Sequence, residues 1–471
     1  MLFNSPIFLF FFLPIFFIIY FSSKDIERKN IIISIFSTIF FIWGDLLFFF
    51  ITLSSSLVDY YLAKKIYKSE SNSNKIFLFI SIAVNLLLLF YFKYFNFLID
   101  QFNHILYFIG YKSIFSEFDI LFPLGISFIT FHKISFIIDI YRKNTSPPYK
   151  FINFYLYIFY FPQLIAGPII RYKNICNQII YRNITFDNLY YGSIFIIIGL
   201  AKKIIIADNV GVIADQIFDY NGSLSWYYYW IGALAYTIQI YFDFSGYSDI
   251  AIGIARCCGF TFPKNFNFPY QSISVTDFWR RWHITLSEWM RDYLYIPLGG
   301  NKLSTLKQIR NLWIVFILSG LWHGASWNFI FWGIYHGFFL TIEKFVKNIR
   351  LFEIKSLLLK RLITFFIILN SWILFRANNL DVAYDYYYAM YSFNNLPFDS
   401  ILLFLNPHKI IILVIALLCV LFLKQHFLLN IFYNLNGKFN YSKNIFITLI
   451  LFLTITFLYG NEVTSFLYFR F

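Results

Sequence analysis

The sequence predicts an all-α polytopic integral membrane protein: about eleven or twelve transmembrane helices, with short interfacial or re-entrant helices, around a central funnel. Three observations carry this. Of 471 residues, 59% are hydrophobic and 13% charged, about half the charged share of an ordinary soluble domain. Phe occurs 65 times and Tyr 37 times, more apolar surface than a water-soluble globule hides without large exposed patches. Long apolar runs recur from end to end, which excludes a disordered chain.

A crossing needs about 20 apolar residues. Pro6 to Phe21 is the first candidate, slightly short, and Lys24, Arg28 and Lys29 follow it. Ile31 to Leu62 is too long for one crossing, and Trp43-Gly44-Asp45 in its middle is the predicted turn between two helices. Lys64, Lys65, Lys68 and Lys75 form a second basic loop. Splitting at Gly44 puts both basic loops on the cytoplasmic side, as the positive-inside rule favours, with the N-terminus facing outward. Ile76 to Ile99 is a clear span. Further candidates lie near Leu121–Tyr141, Phe151–Ile170, Tyr190–Ile206, Tyr227–Phe242, Leu312–Ile342, Leu362–Phe375, Lys409–Leu423 and Asn444–Tyr459. No Lys or Arg precedes Lys24, so a cleaved signal peptide is not expected. Residues 1–471 read as a single membrane-embedded domain, densest in motifs over 161–342, with no separate soluble domain and no internal repeat.

The net charge of +14 fits Lys and Arg gathered in cytoplasmic loops, and no nucleic-acid partner is expected; the partner that composition does imply is membrane lipid. The four cysteines, Cys176, Cys257, Cys258 and Cys419, show no CxxC pair, so neither a disulfide framework nor a metal is expected. No P-loop, GxSxG or HExxH occurs, and the kinase, serine-hydrolase and zinc-protease readings lack their parts.

From Arg256 to Arg310 aromatics alternate with charge, as in Asp277-Phe278-Trp279-Arg280-Arg281-Trp282-His283, which suits short helices at headgroup level or a re-entrant segment. Ionisable groups inside apolar spans are costly and therefore candidates for chemistry. Leu312 to Ile342 overshoots a bilayer as one straight helix, so a break near Gly320–Gly324 is predicted, with His323 at the break. Gly320-x-x-x-Gly324 is equally a helix-packing motif, and His323 would then only bond a neighbouring helix. His336 reads as a packing histidine. Asp243 and Asp249 either pair with the arginines of the next segment or face a polar cavity.

Five stretches occur in order: Phe161-Pro162-Gln163-Leu164-Ile165-Ala166-Gly167-Pro168-Ile169-Ile170-Arg171-Tyr172, Asp243 to Asp249, Phe278 to His283, Tyr295-Ile296-Pro297-Leu298-Gly299-Gly300-Asn301, and Leu321-Trp322-His323-Gly324. Together they resemble the membrane-bound O-acyltransferase family, in its alginate O-acetylase and peptidoglycan O-acetyltransferase branch. The resemblance implies an O-acyltransferase of the bacterial cytoplasmic (inner) membrane. It would move an acetyl group from a cytoplasmic donor, acetyl-CoA as substrate with no bound cofactor, for O-acetylation of a polysaccharide such as peptidoglycan or an alginate-like exopolysaccharide. The family's two signature histidines fall on His283 and His323. His323 is the candidate base, and His283 orients a substrate or stabilises charge. Asp243, Ser245, Asp249, Arg280, Arg281 and Trp322 are candidates for the polar funnel. A separate secreted or periplasmic acetyltransferase is the expected protein partner. The tail Thr464 to Phe471 reads either as an interfacial aromatic anchor or as a relay whose Tyr468 carries the acetyl group, since it resembles the Tyr-containing C-terminal motif of this branch. Other readings are D-alanyl transfer to teichoic acid, a non-enzymatic carrier of a lipid-linked glycan, and an envelope scaffold.

Overall fold

The computed structural model describes residues 1–68, 73–111, 115, 116, 118, 120, 123, 125–164, 167–220, 222–349, 354–394, 406–422, 441–460, 464, 466 and 467. Among them every regular element is a helix and none is a strand, the all-α class that the sequence predicts. Five of the described helices are long and apolar enough to cross a membrane: Leu46–Lys68, Ser73–Phe108, Phe186–Phe218, Leu357–Arg376 and Lys443–Gly460. Phe8–Ser22 and Pro407–Phe422 are shorter apolar helices. The chain packs as two compact units, residues 1–189 with 254–263, and residues 190–253 with 264–471.

In the first unit the predicted turn at Gly44 is present. One helix spans Ile26–Ile42 and the next Leu46–Lys68, with Asp45 accepting from the Phe48 N–H at 2.9 Å as a cap. Asp59 is buried and pairs with Lys133 of the Ile126–Tyr141 helix at 3.1 Å. Ser81 and Asn85 of the Ser73–Phe108 helix also donate to Asp59, so one buried charge with several partners ties three helices. The predicted Phe151–Ile170 crossing is not one helix: it stops at Phe159, and a short Phe161–Leu164 helix follows. Pro162 is the cause. Inside a helix it would remove a hydrogen bond and clash with the preceding turn, whereas in the first turn of a new helix its missing N–H costs nothing. The nine residues of Phe151–Phe159 rise only about 14 Å, less than half the hydrocarbon thickness. Phe161 then packs among the Phe12, Phe16 and Phe40 rings at 5.3–5.6 Å, and His132 Nε2 accepts from the Ile170 N–H at 3.1 Å.

In the second unit the helices Phe186–Phe218 and Trp226–Cys257 touch through glycine. A Cβ on Gly199 would lie 2.6 Å from the Gly246 carbonyl oxygen, and one on Gly253 would lie 2.6 Å from that of Gly192. Such backbone contact is how small residues join membrane helices. The first helix carries a π-helical turn over Lys202–Ala207. The second runs past the predicted end at Phe242, through both carboxylates, to Cys257. It can do so because lysines compensate them: Lys202 Nζ lies 2.6 Å from Asp249, and Lys203 Nζ lies 2.9 Å from Asp243 and 2.7 Å from Asp208.

The Trp-rich stretch folds into the short helices Pro269–Gln271, Val275–Trp279, Ile284–Met290, Arg291–Tyr295 and Gly300–Lys302. Glu343 caps the second of these, accepting from the Thr276 N–H at 3.0 Å and its hydroxyl at 2.6 Å. Trp282 is buried against Phe278 and Trp372 at 5.5 and 4.9 Å. The break predicted within Leu312–Ile342 is also present: one helix spans Thr305–His323 and the next Trp327–Ile349. They close as a hairpin, since a Cβ on Gly320 would lie 2.1 Å from the Phe329 carbonyl oxygen and one on Gly333 2.3 Å from that of Phe316.

Candidate active site

His323 is the last residue of its helix, and Gly324 continues in extended backbone where a Cβ would strike the Phe329 ring. The imidazole is 4% exposed and lies among the Trp322, Trp332 and Phe375 rings, at 4.8, 5.0 and 5.0 Å. The sequence that ends the helix therefore also seats a histidine in an aromatic enclosure.

His283 caps the Ile284–Met290 helix from left-handed backbone at φ +41°, a conformation costly for a non-glycine residue. It is fully buried. Asn265 organises the turn. Its carbonyl accepts from the Ile284 N–H at 2.9 Å, and its side-chain Oδ1 accepts from the Thr285 hydroxyl at 2.9 Å and the Thr285 N–H at 3.4 Å. A backbone N–H can only donate, so that atom is an oxygen acceptor. His283 Nδ1, 3.0 Å away, is then the donor, and the lone pair of the neutral ring sits on Nε2. Trp322 stands between the two histidines, with ring centroids 6.2 Å from His283 and 4.8 Å from His323.

A cavity of about 580 Å³ adjoins this support. Asn265 is in its wall, together with Lys202, Ser245, Asp249, Lys264 and Asn267, in an otherwise largely apolar lining. His336, read from the sequence as a packing residue, accepts from the Trp279 indole N–H at 3.3 Å through Nδ1, which leaves its own proton on Nε2. The rings of His336 and His323 both lie against Trp332, at 4.7 and 5.0 Å.

The other predicted site residues separate. Ser245 and Asp249 line the cavity, whereas Asp243 is buried on Lys203. Arg281 pairs with Asp277 one turn away at 2.9 Å, and Arg280 is exposed. Tyr468 lies outside the described residues. Sequence reasoning passes over Lys202, Lys203 and Asp208, although charges inside the largely apolar run from Gly199 to Ile213 are the same signal that singles out His323. Asn265 carries no such signal: its role comes from what His283 and Thr285 present to it.

Fold and site define a multi-pass membrane protein with a buried centre of two histidines. The model of the membrane-bound O-acyltransferase family matches residues 142–384, a span that holds His283, Trp322 and His323. The chain is 42% identical over 395 residues to a probable alginate O-acetylase of Pseudomonas aeruginosa, which covers 83% of this chain and 75% of that protein. It is 36% identical over 430 residues to the peptidoglycan O-acetyltransferase of Helicobacter pylori, covering 84% and 81%. To the teichoic acid D-alanyltransferase of Bacillus subtilis it is 32% identical over 242 residues, covering 48% and 60%. The chain belongs to the membrane-bound O-acyltransferase family and is an O-acyltransferase.

Proposed function

We propose that this chain is an acetyltransferase of the bacterial cytoplasmic membrane, moving acetyl from cytoplasmic acetyl-CoA toward hydroxyls of a cell-envelope polysaccharide such as peptidoglycan or an alginate-like exopolysaccharide. The observation that carries the reading is the similarity, over 83% and 84% of the chain, to proteins named for O-acetylation of two such polymers. The D-alanyl alternative draws on a match over 48% of the chain. A non-enzymatic carrier has no support in relatives that are named as acetylating enzymes.

The chemistry runs in two steps. The Tyr468 phenol attacks the thioester carbonyl carbon; a carbon–oxygen bond forms and the carbon–sulfur bond breaks. His323 takes the phenol proton and passes it to the departing thiolate. An acceptor hydroxyl then attacks the aryl ester, a new acyl–oxygen bond forms, and the phenolate leaves and recovers the acceptor's proton through His323. A phenolate is a better leaving group than an alkoxide, so the intermediate is primed for onward transfer. His283, with its lone pair on Nε2, accepts a hydrogen bond that orients one of the reactants. A separate secreted or periplasmic transferase carries the acetyl group to its final position.

The test is the O-acetyl content of envelope glycans, released by mild base, from cells that carry the chain, lack it, or carry variants. His323→Ala should lower it about 10²–10⁴-fold, the usual contribution of a proton-transfer group, while the protein still accumulates. Unchanged acetylation in that variant would overturn the mechanism. Unchanged acetylation in Tyr468→Phe would overturn the relay alone. Release of D-alanine instead of acetate would overturn the choice of acyl group.

A further inference from the structure

Thr464, Phe466 and Leu467 are seated on a charged cluster. Phe466 is fully buried and Leu467 nearly so. The Leu467 N–H donates to Asp243 Oδ2 at 2.7 Å. The Thr464 hydroxyl donates to Asp208 Oδ1 and accepts from Lys203 Nζ at 2.9 Å. The Phe466 ring lies 4.6 Å from Tyr247 and 5.7 Å from Phe244, and Phe244 lies 4.7 Å from His283.

The composition of the cluster explains why a tail fits it. Among the described residues two buried carboxylates, Asp208 and Asp243, face one ammonium, Lys203, so their oxygens have room for further donors. Leaving carboxylate oxygens short of donors in a buried site is expensive, and hydrogen bonds to a charged acceptor are the strong ones. A hydroxyl and a backbone N–H from the tail supply donors without adding a second buried charge. The π-helical turn assists: Lys202 goes to Asp249 on the cavity wall, and the next residue, Lys203, goes to the tail cluster.

We propose that Lys203, Asp208 and Asp243 form a binding site for the chain's own C-terminal segment, and that they act as positioning residues, holding Thr464, Phe466 and Leu467 against the Phe244–His283 wall in register for acyl transfer. The seat stands on its own contacts; its consequence for catalysis rests on the relay reading of Tyr468.

The test uses the full chain in membranes, with the photoreactive residue p-benzoylphenylalanine in place of Phe466. Irradiation should give a cross-link to the peptide holding Phe244 and Tyr247. Thr464→Val keeps the shape and removes the hydroxyl. With Lys203→Met it should abolish the cross-link and lower O-acetylation about 10²-fold, the scale of a misplaced reacting group. Thr464→Ser, in a chain with native Lys203, should restore both. If Lys203→Met does not accumulate, the comparison of Thr464→Val with Thr464→Ser decides alone. If the photoreactive chain does not accumulate, maleimide labelling of Leu467→Cys, blocked when seated and open when released, replaces it. In the Thr464 and Lys203 variants, a cross-link lost with acetylation intact, or acetylation lost with the cross-link intact, overturns the proposal. Tyr468→Phe should keep the cross-link. Normal acetylation in that variant, together with a loss in Thr464→Val, would remove the relay and leave the seat.

Discussion

Replacing Gly320 with alanine tests what holds His323 in place. The added Cβ would lie 2.1 Å from the Phe329 carbonyl oxygen and 3.0 Å from its carbon, and ordinary contact begins at 3.4 Å. The deficit is about 1.3 Å, and both neighbours are backbone atoms, so no side chain can swing aside. The hairpin must open by about 1 Å, and His323, three residues on at the helix end, moves with it. Overpacking of this kind costs about 1–3 kcal/mol of stability. A displacement of about 1 Å at a reacting group costs about 10²-fold in rate. The loss should therefore appear in activity while the protein still accumulates. The assay is base-released acetate from envelope glycans, set against the amount of the chain in the membrane. Gly337→Ala is the control: the three atoms nearest its Cβ would belong to the Trp313 ring, at 3.5–3.7 Å, which is ordinary contact, and activity should be unchanged. Equal activity in both variants would refute the argument that close hairpin packing fixes the histidine.

Three further outcomes follow from named contacts. Asn265→Leu removes the acceptor that the His283 Nδ1–H and the Thr285 donors share, at about 1–3 kcal/mol, and should impair acetylation no further when combined with His283→Ala; additive losses would show that Asn265 does not act through His283. Asp59→Ala strands a buried ammonium and should cost about 3–5 kcal/mol, seen as loss of protein from the membrane, which Asp59→Ala with Lys133→Met should recover; no recovery would mean that the pair is not the source. Single cysteines placed in the Lys24–Lys29 or Lys64–Lys75 loops should escape an impermeant label added from outside, and strong external labelling of either loop would overturn the split at Gly44 that puts both on the cytoplasmic side.

The two turns at Gly44 and Gly320–Gly324 are legible because each interrupts an apolar run too long for one crossing, and length is a property of the local sequence. Phe151–Ile170 misleads for a related reason: hydropathy sees an unbroken run, and only the placement of Pro162 decides that the chain restarts there. The Asp243–Asp249 stretch reads as a helix end because two carboxylates are too costly for a span. Their compensation comes from Lys202 and Lys203, some forty residues earlier and on another helix. That pairing depends on which helices the glycines at 192, 199, 246 and 253 bring together, and charge counting along one strand of sequence does not contain it. His283 and His323 stand out through the resemblance that their motifs carry, and His323 also through its place in an apolar run. Asn265 does not stand out, since an asparagine in a polar loop is ordinary until its partners are known.

The surroundings of the two histidines divide their labour. His283 donates its Nδ1 proton to Asn265, a neutral amide that also holds Thr285. A second proton at Nε2 would make an imidazolium with no ion-pair gain from that partner, unlike a histidine backed by a carboxylate. His283 is thus suited to accept a hydrogen bond at Nε2 throughout the reaction rather than to hold a proton in transit. His323 sits at a helix C-terminus, where the helix dipole favours a cation, with the Trp322, Trp332 and Phe375 rings packed around it at 4.8–5.0 Å. Of the two histidines, the one at the helix end is the better placed to hold a proton in transit. Glutamine separates the two roles, because it offers an acceptor oxygen and no basic nitrogen. His283→Gln should retain measurable acetylation, whereas His323→Gln should fall as far as His323→Ala, about 10²–10⁴-fold. If glutamine at 283 is as damaging as glutamine at 323, with both proteins present at equal levels in the membrane, His283 moves a proton too and the division proposed here is wrong.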